Sequence, residues 1–334
     1  MLRVAVIQTA FPGDVILCTP VFKALKSAGH KVTAVIRPQA EPLLRHDPFI
    51  DQLILYDKKG GMAEFLKAVD NLKKSDCDIA LIVQRYFKSA LLAVFAGIAV
   101  RIGYDIAQAK FLYTDEIHYD KDRHEVERCL ALCRNLSSVK GFKPRIFFAE
   151  SDTEEAKNIL VSHGIDIENF ITIAPGSIWN TKRWVGYDSL LESIKKNLPA
   201  DIVLLGSPDD APLCDKINHA QLAVNLAGKT DLLQSSAIFQ LARLAITNDS
   251  APAHIAAAVG TPVVAIFGPT VPEFGFAPYT DKKEIVEIKN LYCRPCSSHG
   301  PMVCPEKHFR CMREVTVDMV WEACERLLKH AHAV

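Results

Sequence analysis

Residues 246–258, ITNDSAPAHIAAA, carry the densest set of groups able to hold a phosphorylated ligand. An apolar run ends there in Asn248, Asp249 and Ser250, and Pro252 sits where a helix can begin. A helix start leaves backbone N–H groups without intrahelical partners and gathers the positive end of the peptide dipoles, which suits a diphosphate. Asp249 or Ser250 can cap such a helix, Ala251 follows them, and His254 lies one turn in at the same mouth. Taken alone, the segment reads equally well as a capped helix with a satisfied histidine. A second run, APGSIWNTKRW at 174–184, places Ser177, Lys182 and Arg183 on a polar loop, where two adjacent cations suit charge arriving on diphosphate oxygens. Gly206 with Ser207, and Gly228, end two further apolar runs, where small residues let backbone approach a nucleotide. Near the N-terminus the loop TAFPGD follows RVAVIQ, and Thr19–Pro20 resembles an N-cap with the first helical residue. That leaves Asp14 on the loop or in a first turn, either as a general base or as a structural aspartate bonded to nearby amides.

The elements that must position these residues are legible as alternation. RVAVIQ, KVTAVIR, QLILYD, DIALIVQ and VRIGY predict strands in the first half, separated by stretches with apolar residues at helical spacing. The pattern restarts with FITIAPGS, DIVLLGS, AVNLAG, LAITND and PVVAIFGP. Near-continuous apolar strands linked by helices imply parallel sheets covered on both faces. The expectation is α/β, with two doubly wound Rossmann-like domains facing a central cleft: residues 1–155, residues 165–314, and a final amphipathic helix within 315–334. Ligands of such sheets sit beyond the carboxyl ends of the strands. The candidates above fall at such ends, as does Arg85, which follows DIALIVQ; His124 begins the helical stretch HEVERCLALC.

Composition narrows the class. Lys plus Arg equals Asp plus Glu, 39 each, so no overall basic field points to nucleic acid, and any anion must be held by local groups. The longest apolar run, 89–100, is about half of the ~20 residues a spanning helix needs. The N-terminus has no signal-peptide core, which gives a cytoplasmic address with room for contact at the inner face of the inner membrane. No GxGxxG and no P-loop occurs, which removes a nicotinamide dehydrogenase of the same sheet type.

FPGDVILCTPVFKALK at 11–26, APGSIWNTKRW, LLGSPDD, and the long run from LAGKTD through ITNDSAPAHIAAA to FGPT at 226–270 resemble the ADP-heptose:lipopolysaccharide heptosyltransferases of glycosyltransferase family 9, heptosyltransferase II type. The resemblance spans both halves in the right order. It implies the GT-B fold, with acceptor on the first domain, nucleotide-sugar on the second, and the tail helix crossing back to the first domain. It implies inverting transfer from ADP-L-glycero-D-manno-heptose to an inner-core sugar hydroxyl, with no divalent metal required. Asp14 then takes the hydroxyl proton, and Lys182 with the helix start after Asp249 stabilises the departing ADP. Arg183 and Ser177 are further phosphate contacts, and Asp249 orients the sugar or the loop. Arg85 and His124 would meet a lipid-linked oligosaccharide acceptor, with Lys58, Lys59 and Lys88 near its phosphates. A monomer is expected. Ala251 departs from the family, which usually has glycine there: alanine disfavours positive φ, so either the loop holds ordinary helical angles or the donor shifts.

Cys293, Cys296, Cys304 and Cys311 read C-x2-C-x7-C-x6-C, in a loop with His299 and His308. The leading pair suits tetrahedral zinc; free thiols and disulfides are the other states, each serving to staple a loop. The Asp76–Cys77–Asp78 sequence lies before its strand, at the amino edge, and is rejected as a metal site. Three rival functions fit the same fold: a transferase using another nucleotide-sugar, a UDP-sugar epimerase, and a non-catalytic nucleotide-sugar binding protein.

Overall fold

The computed structural model describes residues 1–137 and 141–331, so 332–334 of the expected tail segment lie outside it. The chain divides into two compact units, Met1–Phe147 and Phe148–Val334. The first holds a six-stranded parallel sheet of β1 (Arg3–Gln8), β2 (Lys31–Ile36), β3 (Gln52–Leu55), β4 (Ile79–Ile82), β5 (Val100–Tyr104) and β6 (Asp115–Ile117), in the order 3-2-1-4-5-6. The second holds β7 (Phe170–Ala174), β8 (Asp201–Leu204), β9 (Val224–Asn225), β10 (Ala245–Asn248), β11 (Val263–Phe267) and β12 (Lys283–Glu287), in the order 9-8-7-10-11-12. The two orders are the same, counted from each unit's own first strand. Helices cover both faces, so the central strands are apolar throughout: β7, β10 and β11 are buried along their whole length.

This strand order fixes where a ligand can go. The order reverses between β1 and β4 in the first unit and between β7 and β10 in the second, opening a crevice at their carboxyl ends. Asp14 follows β1 and Arg85 follows β4; Ser177 to Arg183 follow β7 and Asp249 to His254 follow β10. These candidates thus stand at the two switch points, whereas Gly206 and Ser207 follow β8 and His124 follows β6.

Three expectations change. The helix after β1 runs Pro12–Ser27, so Thr19 and Pro20 lie inside it. Pro20 has no N–H for the Ile16 carbonyl one turn back, and the Thr19 hydroxyl donates to that carbonyl instead, at 2.8 Å. Asp14 is therefore in the first helical turn. The domain boundary falls at 147, because the helix Glu150–Ser162 packs on Leu232–Leu241 of the second unit. The tail helix Val317–Ala331 spends its apolar face on the second unit too. Val320, Ala323, Cys324, Leu327 and Leu328 join the core formed by Ile171, Ile266 and Leu190.

Candidate active site

In the second unit, Asn248 is the hub that brings the two loops together. Its fully buried side chain accepts from the Trp184 amide and the Tyr187 hydroxyl, both at 3.1 Å, and donates to the Pro175 carbonyl at 2.7 Å. The 175–187 loop is thereby tied to the end of β10. On it, the turn Asn180–Lys182 presents Lys182, whose Nζ donates to Asp249 Oδ2 at 2.6 Å. The Thr270 hydroxyl donates to the same oxygen at 2.6 Å. The side chains of Lys182 and Asp249 are 12% and 9% exposed, so the pair is largely withdrawn from water. Asp249 is thus committed to Lys182 and Thr270.

The helix after β10 begins at Ala251, with Ser250 as N-cap residue in extended conformation. Ala251 is the first residue of that helix and is not at positive φ, which matches the first of the two alternatives, ordinary helical angles in the loop. The Ser250 side chain makes no capping bond; its hydroxyl lies 3.5 Å from the Asn248 carbonyl. The first turn carries no acidic residue either, so the positive end of this helix is neither capped by its own serine nor neutralised by a carboxylate of that turn. His254 is buried one turn in.

Other predicted donor residues serve the frame. Arg183 donates through Nε to the Ser177 carbonyl at 2.8 Å and approaches Asp210 at 3.7 Å. The Ser177 hydroxyl accepts from the Trp179 amide at 3.3 Å. At Gly206 the absent side chain leaves room for Asp210, whose Cβ would lie 2.8 Å from an added methyl group. Ser207 is tied into the same turn, its amide and hydroxyl both donating to Asp210 Oδ2 at 3.0 and 2.6 Å.

In the first unit, Asp14 shares its electrostatic surroundings with Lys58 and Glu125. Burial, then the neighbouring Arg37 and Lys88, push Lys58 down to about 8, against the opposing pull of Asp14. Arg85 stacks over the Tyr119 ring at 4.6 Å. The Tyr119 hydroxyl donates to Glu125 Oε2 at 3.1 Å, and Arg128 donates to the same oxygen at 2.9 Å. Burial holds the Glu125 carboxyl above its usual range, opposed by Arg128. His124 is the N-cap of helix Glu125–Leu132, its Nδ1 accepting from the Val126 amide at 3.2 Å. Sequence reasoning gave no role to Asn248, Thr270 or Arg37, whose partners are far off in the chain.

Among the described residues no group of three or more histidine, cysteine, aspartate or glutamate side chains is arranged to hold a metal ion. Cys293, Cys296, Cys304 and Cys311 are not joined by disulfides. Asp76 and Asp78 serve Arg3: Asp76 pairs with its guanidinium and Asp78 accepts its amide at 2.8 Å.

Two doubly wound parallel-sheet domains of one topology, with a lysine–aspartate pair beside a helix start at one switch point, fit the GT-B class of glycosyltransferase. The chain belongs to glycosyltransferase family 9 (heptosyltransferase), whose profile matches residues 65–308. It is 27% identical over 313 residues to lipopolysaccharide heptosyltransferase 2 of Salmonella typhimurium, covering 87% of this chain and 89% of that one. It is also 26% identical over 292 residues to lipopolysaccharide heptosyltransferase 3 of Escherichia coli, covering 81% and 83%. Among solved structures, a family 9 glycosyltransferase from Veillonella parvula superposes with a TM-score of 0.87 at 23% identity, covering 98% of each chain. The E. coli ADP-heptose LPS heptosyltransferase II superposes at 0.82 and 23%, covering 99% of this chain and all of that one.

Proposed function

We propose that this glycosyltransferase moves a heptose from ADP-L-glycero-D-manno-heptose to a sugar hydroxyl of the lipopolysaccharide inner core, with inversion at the anomeric carbon. The observation that carries the reading is the Lys182–Asp249–Thr270 cluster beside the uncapped start of Ala251–Val259. When the bond from anomeric carbon to phosphate oxygen breaks, negative charge grows on the diphosphate. Lys182 and the helix amides meet it with a fixed cation and fixed dipoles. No divalent metal is required for that task, and Asp249 holds the lysine in place. Asp14 accepts the proton of the acceptor hydroxyl as its oxygen attacks.

Acceptor recognition belongs to the first unit. Arg37, Lys58 and Lys88 near Asp14 supply cations for anionic substituents of an inner-core sugar. Tyr86, Phe87, Ile106 and Phe111 are exposed large apolar side chains in the segments after β4 and β5, with Phe87 and Phe111 ring centroids 6.2 Å apart. With Lys88 and Lys110 in the same segments, they suit peripheral contact with an anionic bilayer carrying a lipid-linked acceptor. Among the described residues no helix is long and apolar enough to cross a membrane.

The test is to incubate the enzyme with ADP-heptose, other ADP-sugars and UDP-sugars, each with truncated lipopolysaccharide cores. ADP release that depends on acceptor supports the reading; turnover only with a UDP-sugar refutes it. Asp14→Asn should bind ADP as before and lose about 100- to 10,000-fold in kcat. A pure binding module would have no turnover to lose.

A further inference from the structure

The cysteine-bearing loop contains an arginine that reaches the end of β11. Arg294, between Cys293 and Cys296, has a side chain only 5% exposed. Its guanidinium donates to the Gly268 carbonyl through Nε, and to the carbonyls of Ile288 and Thr270 at 2.7 Å each. Its charge is answered by Glu287, the last residue of β12, at 2.6 Å. One planar fork thus spans the 268–270 turn and the chain after β12, a task a single ammonium cannot repeat. The same turn carries Thr270, whose buried hydroxyl donates to Asp249, and Asp249 holds Lys182.

The rest of the loop backs this up. The Cys296 amide donates to the Pro269 carbonyl at 2.9 Å, and the Thr181 hydroxyl donates to the Pro301 carbonyl. Gly300, at φ +81°, lies so close that an added methyl group would meet Pro269 Cγ at 3.0 Å and Lys182 Cγ at 3.3 Å. The loop therefore packs directly behind the lysine.

We propose that Arg294 is a positioning residue for the donor site: by fixing the carbonyls of the 268–270 turn it sets Thr270, and through Thr270 the Asp249–Lys182 pair. This rests on the reading of Lys182 as the group that meets the leaving diphosphate. Neither the fold nor the cysteine pattern requires an arginine at this position; what requires it is the set of carbonyls it bridges. A merely structural arginine would lower stability and leave kcat per folded molecule unchanged.

A double-mutant cycle separates the two roles. Arg294→Lys keeps a charge opposite Glu287, so the buried carboxylate is not stranded, while the bridging fork is lost. Thr270→Val removes the hydroxyl that bonds Asp249 and leaves the carbonyl that Arg294 holds. Arg294→Lys should lower kcat by about tenfold in the wild-type background and by less than about twofold in Thr270→Val, because the link it acts through is already cut. Thr270→Ser, which restores the hydroxyl, should restore the full effect. Equal losses on both backgrounds would overturn the proposal, as would a loss that follows the melting temperature alone. A crystal structure of Arg294→Lys reads the same inference without any transfer assay. A Lys182–Asp249 contact unchanged from 2.6 Å overturns it; a wild-type enzyme inactive on every ADP-sugar overturns only the transfer reading.

Discussion

Replacing Asp249 or Lys182 by alanine, singly and together, tests whether the two side chains act as one unit. At 2.6 Å, and with an effective dielectric constant of about 20, their attraction is on the order of 6 kcal/mol. Withdrawing two charges from water costs several kcal/mol each, so the pair as a whole contributes little net stability. Breaking it is another matter. Either single alanine strands the partner charge at about a tenth exposure, at a cost of about 3–5 kcal/mol. Asp249→Ala also leaves the Thr270 hydroxyl without its acceptor, about 1 kcal/mol more. The double variant strands no charge, so it should be no less stable than Asp249→Ala, a coupling of about 3 kcal/mol. For a domain of this size that corresponds to a fall of roughly 6–20 °C in Tm for each single variant. The tryptophans, Trp179, Trp184 and Trp321, all belong to the second unit, so urea unfolding followed by their fluorescence reports that unit alone. Single losses that add to within about 0.5 kcal/mol would refute the coupling, and with it the claim that Asp249 holds the lysine. Turnover gives the second readout: Lys182→Ala should lose about 100- to 1,000-fold in kcat where the protein remains folded.

Ser250→Ala should cost less than about 0.5 kcal/mol in the same unfolding assay, because its hydroxyl caps nothing. Asp231→Ala should cost about 1 kcal/mol, since Asp231 and Gln234 cap each other's backbone at 2.8 and 2.9 Å. Lys58, pushed down to about 8 by burial and then by Arg37 and Lys88, loses its charge as pH rises through that value. The acceptor KM should therefore climb across about pH 7 to 9 in the wild type and stay flat in Lys58→Arg, which keeps its charge. A parallel climb in both would remove Lys58 from acceptor binding. Burial pushes Asp47 up to about 6, opposed by the Phe49 amide it accepts. A raised carboxyl contributes stability below its unfolded pKa of about 4 and loses it as pH rises through about 6. Asp47→Asn should then gain about 1–3 kcal/mol at neutral pH and almost nothing near pH 4 by calorimetry; a gain independent of pH would refute the assignment.

Where the chain ends a strand was legible, and with it which residues stand at the strand ends. Strands buried on both faces read as unbroken apolar runs, and the first polar residues after β1, β4, β7 and β10 necessarily stand at the switch points. What those residues bond to was less legible. Lys182 and Asp249 are 67 positions apart, and no local pattern announces their contact. Gly206 and Ser207 looked like a nucleotide seat because glycine and serine are what such a seat needs; they equally suit the Asp210 turn that uses them. Thr19–Pro20 looked like a helix start because that pair usually is one, and only a hydroxyl bonded back to Ile16 lets the helix run through. Arg294 was overshadowed by the cysteines around it, although the groups it bridges are backbone carbonyls with no sequence signature at all.

The repeated topology has a further consequence in the signs of its helix ends. Both units send a helix away from the switch point, and each such start gathers positive partial charge. In the first unit the helix Pro12–Ser27 places its own carboxylate, Asp14, in that first turn. In the second the helix Ala251–Val259 has no acidic residue in its first turn and no capping hydroxyl bond, while Asp249, two residues before it, is turned to Lys182 and Thr270. In the proposed reaction the same backbone device would serve two ends of the transfer. Supplied with an internal anion, it would hold the proton acceptor; left without one, it would offer its amides to the anion of the leaving group. The difference between the two domains lies in which residue follows the strand, not in the fold that both share.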